Sequence, residues 1–146
     1  MLVSDILRSK GTQVFAIGGD APLSAAIQMM RDRKIGALVV EDANGRLAGI
    51  LSEREVVATL ATWGEDALER TVCELMVTPV ATARPTDPVH RVMTIMTQGR
   101  IRHLPVLDDE IIAGIVSVGD VVKSRLAEKI HENQVLQDIA RWPRVA

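Results

Sequence analysis

Two matching stretches decide the fold of this chain: Ala48-Gly49-Ile50-Leu51-Ser52 and Ala113-Gly114-Ile115-Val116-Ser117. Sliding the sequence against itself by about 66 positions extends the match in both directions, which is how an internal repeat is recognised. The aligned pairs include Val14 with Val80, Pro22 with Pro88, and Met30 with Met96. The register changes only at the turn formed by residues 42–45, which is longer than its counterpart near residue 108. Ordered identities interrupted only at a turn indicate an internal duplication.

Each copy has the same predicted order of elements, β-α-β-β-α. A short strand is expected at about residues 14–17 and 80–83, and the proline that follows suits a helix start, where an N–H has no helical partner. Apolar residues then recur at the spacing of a helix with one buried face: Leu23, Ala26, Ile27 and Met30 in the first copy, and Val89, Val92, Met93 and Met96 in the second. A tight hairpin and a second helix, beginning at Ser52 or Ser117, complete each copy.

The expected domain organisation follows from the small size of each copy. A unit of about 60 residues buries too little surface to be stable alone, so we expect an α+β fold in which two pseudo-symmetric copies pack sheet to sheet with their helices outside. The expected boundaries are 1–66 for the first copy with its lead-in, 67–127 for the second copy, and 128–146 for a helical C-terminal tail. The lead-ins correspond too, since residues 3–7 resemble residues 72–76. The cleft between the copies is the expected ligand site.

The composition excludes several classes of function. The 146 residues are 47% hydrophobic and 25% charged, as in ordinary globular proteins. A net charge of −2 and only three aromatic residues argue against nucleic acid, which needs basic surface and stacking platforms. No apolar run approaches the roughly 20 residues that cross a bilayer, and the start lacks the features of a signal peptide, so we expect a cytoplasmic protein. Three isolated histidines and Cys73, which is expected to be buried, predict neither a metal site nor catalytic residues.

The segments around both hairpins resemble the two signature segments of a CBS domain. In the second copy they are residues 99–106, Gly-Arg-Ile-Arg-His-Leu-Pro-Val, and residues 114–121, Gly-Ile-Val-Ser-Val-Gly-Asp-Val. Residues 35–40 and 49–56 take the same places in the first copy. The resemblance covers about residues 3–123 and is to a stand-alone CBS pair, or Bateman module, similar to the small plant CBSX and bacterial CBS-only proteins.

This resemblance implies a regulatory module that binds an adenosyl ligand in its cleft. AMP is the favoured ligand, and ADP, ATP, S-adenosylmethionine and NAD(H) belong to the same class. The family also implies a flat homodimer and a regulated partner protein. Met29 and Ile95 lie off the core stripes of their helices and offer apolar surface for pairing; the alternative is that they are scattered exposed apolar residues.

Ser117 and Asp120 are the strongest candidates for ligand contact. The family motif places Ser117 at the start of a helix, where free N–H groups favour an anion, and implies that Asp120 binds the ribose hydroxyls. The alternative is plain helix capping. In the first copy, Ser52 and Glu55 have the spacing of a complete capping box, and Glu55 replaces the ribose aspartate. We therefore expect an altered or empty second site there, with Ile35 and Ala37 beside it.

Basic residues near the hairpins are the candidates for phosphate contact. The resemblance places Arg102 and His103 of the second copy there, with Arg54 of the first approaching across the pseudo-twofold axis, since a guanidinium can hold two phosphate oxygens at once. The alternative for these groups is solvated surface or ion pairing. The remaining candidates, for the adenine base, have core packing as their alternative: Thr82, Ile101 and Pro105. Two rival functions stay open, an interaction scaffold with vestigial sites and, with no catalytic residues to support it, an enzyme.

Overall fold

A computed structural model describes residues 1–143 and has the predicted α+β architecture. Its elements are α1 (Val3–Lys10), β1 (Ala16–Gly18), α2 (Leu23–Arg33), β2 (Ala37–Glu41), β3 (Leu47–Ser52), α3 (Glu53–Trp63), a 3-10 turn (Gly64–Glu69), α4 (Val72–Leu75), α5 (Val89–Gly99), β4 (His103–Asp108), β5 (Ile111–Ser117) and α6 (Val118–Arg141). None of the helices within residues 1–143 combines the length and apolarity needed to span a bilayer.

The first copy forms a three-stranded sheet with the predicted hairpin. Strand β1 runs parallel to β2, which pairs with β3 in antiparallel register, so that Leu38 faces Leu51. The turn is held by the Asp42 carboxylate, whose Oδ1 accepts the backbone N–H groups of Asn44 (2.8 Å) and Arg46 (3.0 Å). Gly45 supplies the positive φ of 74° that the turn needs. This local chemistry fixes the register of the hairpin.

The second copy lacks the predicted first strand at residues 80–83. Strands β4 and β5 form an antiparallel pair, but the preceding segment contributes only an isolated parallel bridge between Ala83 and Val106. In the first copy, the N–H of Val39 donates to the carbonyl of Phe15 (3.2 Å). The equivalent of Val39 is Pro105, which has no N–H to donate. The missing donor explains why the strand shortens to a bridge.

Two apolar cores hold the copies together, and the predicted helix stripes supply much of both. The first contains Leu23, Ala26 and Met30 from α2, and the second contains Val89, Val92 and Met96 from α5. Met93 does not belong to the buried set, because 37% of its surface stays exposed. Met29 and Ile95 are partly buried and pack against the cores, so the apolar surface expected from them for pairing is largely used within the chain.

The two lead-in segments pack across the pseudo-twofold axis. Helix α1 precedes the first copy but buries Val3 and Leu7 in the core of the second, while Val72 of α4 is buried in the core of the first. Both approach a strand at a glycine: a Cβ added to Gly114 would lie 2.7 Å from Cδ2 of Leu7, and one added to Gly49 would lie 2.8 Å from Cγ of Met76. Each glycine therefore allows a lead-in side chain to sit directly on the sheet.

Two smaller expectations need correction or refinement. Cys73 is exposed, because the four-residue helix α4 buries its neighbour Val72 instead. The predicted tail is helical as far as Arg141, but it continues α6 without a break, so it is not a separate element. Residues 144–146 of the predicted tail lie outside the described residues.

Candidate functional site

Ser117 and Asp120 form a reciprocal cap at the start of α6. The backbone N–H of Ser117 donates to Oδ2 of Asp120 (2.8 Å), and the N–H of Asp120 donates to Oγ of Ser117 (3.2 Å). Helix capping, the alternative to ligand binding for these two residues, is therefore present in the structure. The cap uses only one oxygen of the carboxylate, because within residues 1–143 no hydrogen bond reaches Oδ1 of Asp120. Capping and ligand contact are therefore compatible at this residue.

Lys10 is a member of this site that the sequence did not indicate. Its ammonium donates to Oδ2 of Asp120 (2.6 Å) and to the carbonyl of Ile115 (2.9 Å). The two side chains of the ion pair retain 33% and 21% of their accessibility. Lys10 reaches the site because α1 packs on β5, and since 110 positions separate it from Asp120, no local spacing could have revealed the contact.

The ion pair changes the proton affinity of Asp120. Partial burial opposes ionisation of the carboxyl group, but the hydrogen bonds from Lys10 and Ser117 outweigh it and hold the pKa of Asp120 below its usual value. The carboxylate is consequently ionised at neutral pH and able to accept hydrogen bonds from a ligand.

His103 of the second copy lies close to the first copy at the cleft. A Cβ placed on Gly36 of the first copy would lie 3.5 Å from Cε1 of His103 and 3.5 Å from Oε1 of Glu53. Burial lowers the pKa of His103; Glu53 and Asp120 oppose this effect, while Lys10 and Arg102 reinforce it. The imidazole is therefore predominantly neutral at pH 7. We refer to Lys10, Gly36, Glu53, His103 and Asp120 as the cleft cluster.

The three candidate phosphate residues do not all face the cleft cluster. Arg102 lies one residue before β4 and lines a separate groove of about 400 Å³. Arg54 lies on the same groove and donates from Nη1 to the carbonyl of Arg100 (3.2 Å). Apart from the arginines, the residues that line this groove are mostly apolar: Met93, Met96, Thr97, Ile101, Val118, Val121 and Val122. The predicted set thus divides between a polar cleft and an apolar groove edged by arginines.

The residues predicted to hold the base are only partly accessible. Thr82 is half-buried, and Ile101 packs against the second core. Pro105 is fully buried, and its carbonyl accepts the N–H of Ala83 (3.0 Å). Of the three, Thr82 keeps the most freedom to offer backbone groups to a ligand.

The corresponding site in the first copy is more fully occupied by its own contacts. Oε2 of Glu55 accepts the N–H of Ser52 (2.7 Å) and also the hydroxyl of the same serine. Ala37 is buried, and Ile35 packs against the first core. The lead-in match that pairs Val3 with Val72 places Pro79 opposite Lys10, so this copy has no equivalent ammonium. The two sites differ in both carboxylate and cation.

The described residues thus form a paired module of two copies, the second of which has only a bridge in place of its first strand, and the copies approach each other at the cleft cluster. Among residues 1–143, no group of three or more His, Cys, Asp or Glu side chains is placed to hold a metal ion. The CBS domain family matches residues 3–62 and 72–127, which covers most of the chain. The chain therefore belongs to the CBS-domain family, and it is a regulatory module of the CBS-pair class.

Individual relatives agree with this assignment. The chain is 34% identical over 144 residues to the mitochondrial CBS domain-containing protein CBSX3 of Arabidopsis thaliana, covering 92% of this chain and 69% of that protein. A crystal structure of a CBS-domain containing protein from Agrobacterium tumefaciens is 40% identical, with a TM-score of 0.82 over 85% of this chain and 92% of that one. The CBS domain pair of protein MJ0100, in complex with 5′-methylthioadenosine and S-adenosyl-L-methionine, is 26% identical, with a TM-score of 0.78 over 88% and 98% of the two chains.

Proposed function

We propose that this chain is a regulatory sensor that binds an adenine nucleotide, with AMP as the favoured ligand, in the cleft between its two copies. The observation that carries the proposal is the Asp120 carboxylate, which is half-buried, is held at the start of α6 beside the cleft cluster, and has a pKa below its usual value. The complex of MJ0100 with two adenosyl compounds supports the ligand class. ADP, ATP, NAD(H) and S-adenosylmethionine share the adenosyl group and belong to the same proposal.

Each part of the ligand has a proposed partner. Asp120 and Ser117 contact the ribose, since a carboxylate accepts hydroxyl protons in strong charge-assisted hydrogen bonds. His103 of the cleft cluster lies toward the phosphate, and Arg102 and Arg54, which line the neighbouring groove, reach the phosphate only by turning their long side chains toward the cleft. The base lies beside the backbone of Thr82, with Ile101 and Pro105 behind it. A smaller role is proposed for the first-copy site, because Glu55 already accepts two hydrogen bonds from Ser52.

Regulation requires that the ligand favour one of two arrangements of the module or its partner. We propose a homodimer that pairs through the exposed apolar side chains of α3, α5 and α6, among them Val57, Met93, Val118, Val122 and Leu126. Met93, Val118 and Val122 also line one groove, and exposed apolar surface of this kind is typical of an interaction site. The proposal places the dimer and its regulated partner protein in the cytoplasm; fractionation would test this, with a mitochondrial location, as in CBSX3, as the contrary outcome.

Calorimetry with AMP, ATP, NADH and S-adenosylmethionine tests the ligand, and Asp120→Ala tests the site. Loss of a charge-assisted hydrogen bond costs about 1.5–3 kcal/mol, so we expect roughly 10- to 100-fold weaker AMP binding. Asp138→Ala, which removes an exposed carboxylate from the far end of the same helix, is the matched control and should bind AMP normally.

Three outcomes would count against the proposal. AMP binding that is unchanged in Asp120→Ala would exclude the ribose assignment. A screen in which no adenosyl compound binds or raises the melting temperature would favour the interaction scaffold. Turnover of a nucleotide by the purified chain would establish an enzyme.

A further inference from the structure

The two oxygens of the Asp120 carboxylate are in different situations. Oδ2 accepts hydrogen bonds from the N–H of Ser117 (2.8 Å) and the ammonium of Lys10 (2.6 Å), whereas within residues 1–143 none reaches Oδ1. A ribose diol that donates both of its hydroxyl protons to one carboxylate needs both oxygens. One of the two donors on Oδ2 must then yield.

Lys10 is the donor that can yield. The N–H of Ser117 belongs to the backbone of the helix cap, and moving it would break the reciprocal bond to Ser117 Oγ. The ammonium of Lys10 lies at the end of a flexible side chain. Lys10 is also the last residue of α1. Gly11 follows it with a φ of 100°, so the chain beyond Lys10 is not helical.

We infer that Lys10 is an internal competitor for the Asp120 carboxylate and thereby sets how strongly the cleft prefers a ribose diol over a sugar without hydroxyls. This inference rests on the proposed function, because it assumes that Asp120 receives the ribose. In the empty cleft Lys10 stabilises the carboxylate, and a diol must replace it. A ligand without the two hydroxyls leaves the ion pair in place.

Lys10 also connects the cleft to α1. Val3, Ile6 and Leu7 anchor the helix in the second core, but the hydrogen bonds to Asp120 and Ile115 hold its last residue. Displacement of the ammonium from Asp120 removes one of the two hydrogen bonds that hold this end of the helix, while the apolar anchor stays. The backbone near residues 8–11 should then report whether a diol is bound.

The test compares AMP with 2′,3′-dideoxy-AMP in the wild type and in Lys10→Met. Methionine keeps the length and apolar stem of the side chain and removes the ammonium. Because the two ligands carry the same phosphate, the ratio of their affinities cancels any general effect of the lost charge. A partly exposed ion pair contributes at the upper end of the range for surface pairs, so the ratio in favour of AMP should rise about fivefold in Lys10→Met.

Two control variants separate this inference from the proposed function. Lys123→Met removes an exposed ammonium from α6 and should leave the ratio at its wild-type value. Asp120→Asn should abolish the preference for AMP, and a preference that survives in this variant would overturn the ribose assignment itself. If Asp120→Asn loses the preference but Lys10→Met keeps the wild-type ratio or lowers it, the competition is refuted while the ribose site stands.

Hydrogen exchange gives an independent measurement. AMP at saturation should speed amide exchange at residues 8–11 of the wild type, and 2′,3′-dideoxy-AMP at saturation should not. Equal exchange with the two ligands would overturn the release of Lys10. Absence of AMP binding by the wild type would overturn both the inference and the proposed function.

Discussion

The contact between Leu7 and Gly114 allows a direct test of how α1 is seated. Gly114 is buried in β5, and a Cβ added there would lie 2.7 Å from Cδ2 and 3.3 Å from Cδ1 of Leu7. Leu7 is itself 6% exposed in the second core, so its side chain has little room to retreat. The substitution Gly114→Ala therefore forces a clash between the lead-in helix and the sheet.

The expected magnitudes come from packing. Overfilling a core costs about 1–3 kcal/mol, and replacing glycine by alanine at an ordinary φ recovers about 0.4–1 kcal/mol through the unfolded chain. We therefore expect Gly114→Ala to cost about 1–2 kcal/mol. Leu7→Ala leaves a cavity and should cost about 2–3 kcal/mol, the lower part of the range for buried leucines. In the double variant the new methyl group enters that cavity, so its cost should fall about 1–2 kcal/mol short of the sum.

Urea unfolding of the wild type, both single variants and the double variant measures these free energies. Gly18→Ala is the matched control, since a Cβ there meets nothing within 4 Å, and its stability should stay within about 0.5 kcal/mol of the wild type. Additive costs, or a Gly114→Ala variant as stable as the wild type, would refute the seating of α1 over this glycine.

Three further predictions concern stability. Gly49→Ala should cost about 2–3 kcal/mol in urea unfolding, more than Gly114→Ala, because its Cβ would lie 3.0 Å from the backbone carbonyl of Val77 as well as against Met76; an equal or smaller cost would contradict this. Burial lowers the pKa of His103, so the unfolded chain protonates first as pH falls below about 6.5 and native stability should rise with pH up to about that value. His103→Gln should flatten this rise in a series of urea midpoints, and an unchanged slope would contradict it. Because the pKa of Asp120 is lowered in the folded chain, its carboxylate contributes stability that is present above about pH 4 and is lost as the pH falls through the pKa of the folded state. Asp120→Asn should therefore cost no more than about 1 kcal/mol of unfolding free energy at pH 7 and progressively less in acid. A cost that is constant with pH would contradict this.

The sequence predicted the fold through features that act locally. The apolar stripes of α2 and α5 and the Asn44-Gly45 turn each depend on neighbours in the chain, and the structure confirms them except at Met93, which stays exposed. The lost strand before Ala83 had a local cause as well, since Pro105 could have been recognised in the sequence as a missing hydrogen-bond donor in the second copy.

The site was less predictable because its contacts are long-range. Ser117 and Asp120 share a helix start and could be found by their spacing, but Lys10 reaches Asp120 only because α1 crosses to the other copy. Likewise, Arg102 and His103 are adjacent in sequence but lie toward different surfaces. A motif shows which residue types are present, whereas the crossing of the lead-ins and the path of the chain before β4 decide which of them meet.

The crossed lead-ins also bear on how such a chain could arise. The lead-in of a single copy could cover either its own sheet or the sheet of a neighbouring copy. In this chain each lead-in covers the sheet of the other copy, with Leu7 on Gly114 and Met76 on Gly49. Two separate single-copy chains exchanging these arms would have the same contacts. Gene fusion of such an arm-exchanged pair would preserve every buried contact while converting a concentration-dependent assembly into an intramolecular one. The two halves of the chain should accordingly recognise each other even when they are made as separate fragments.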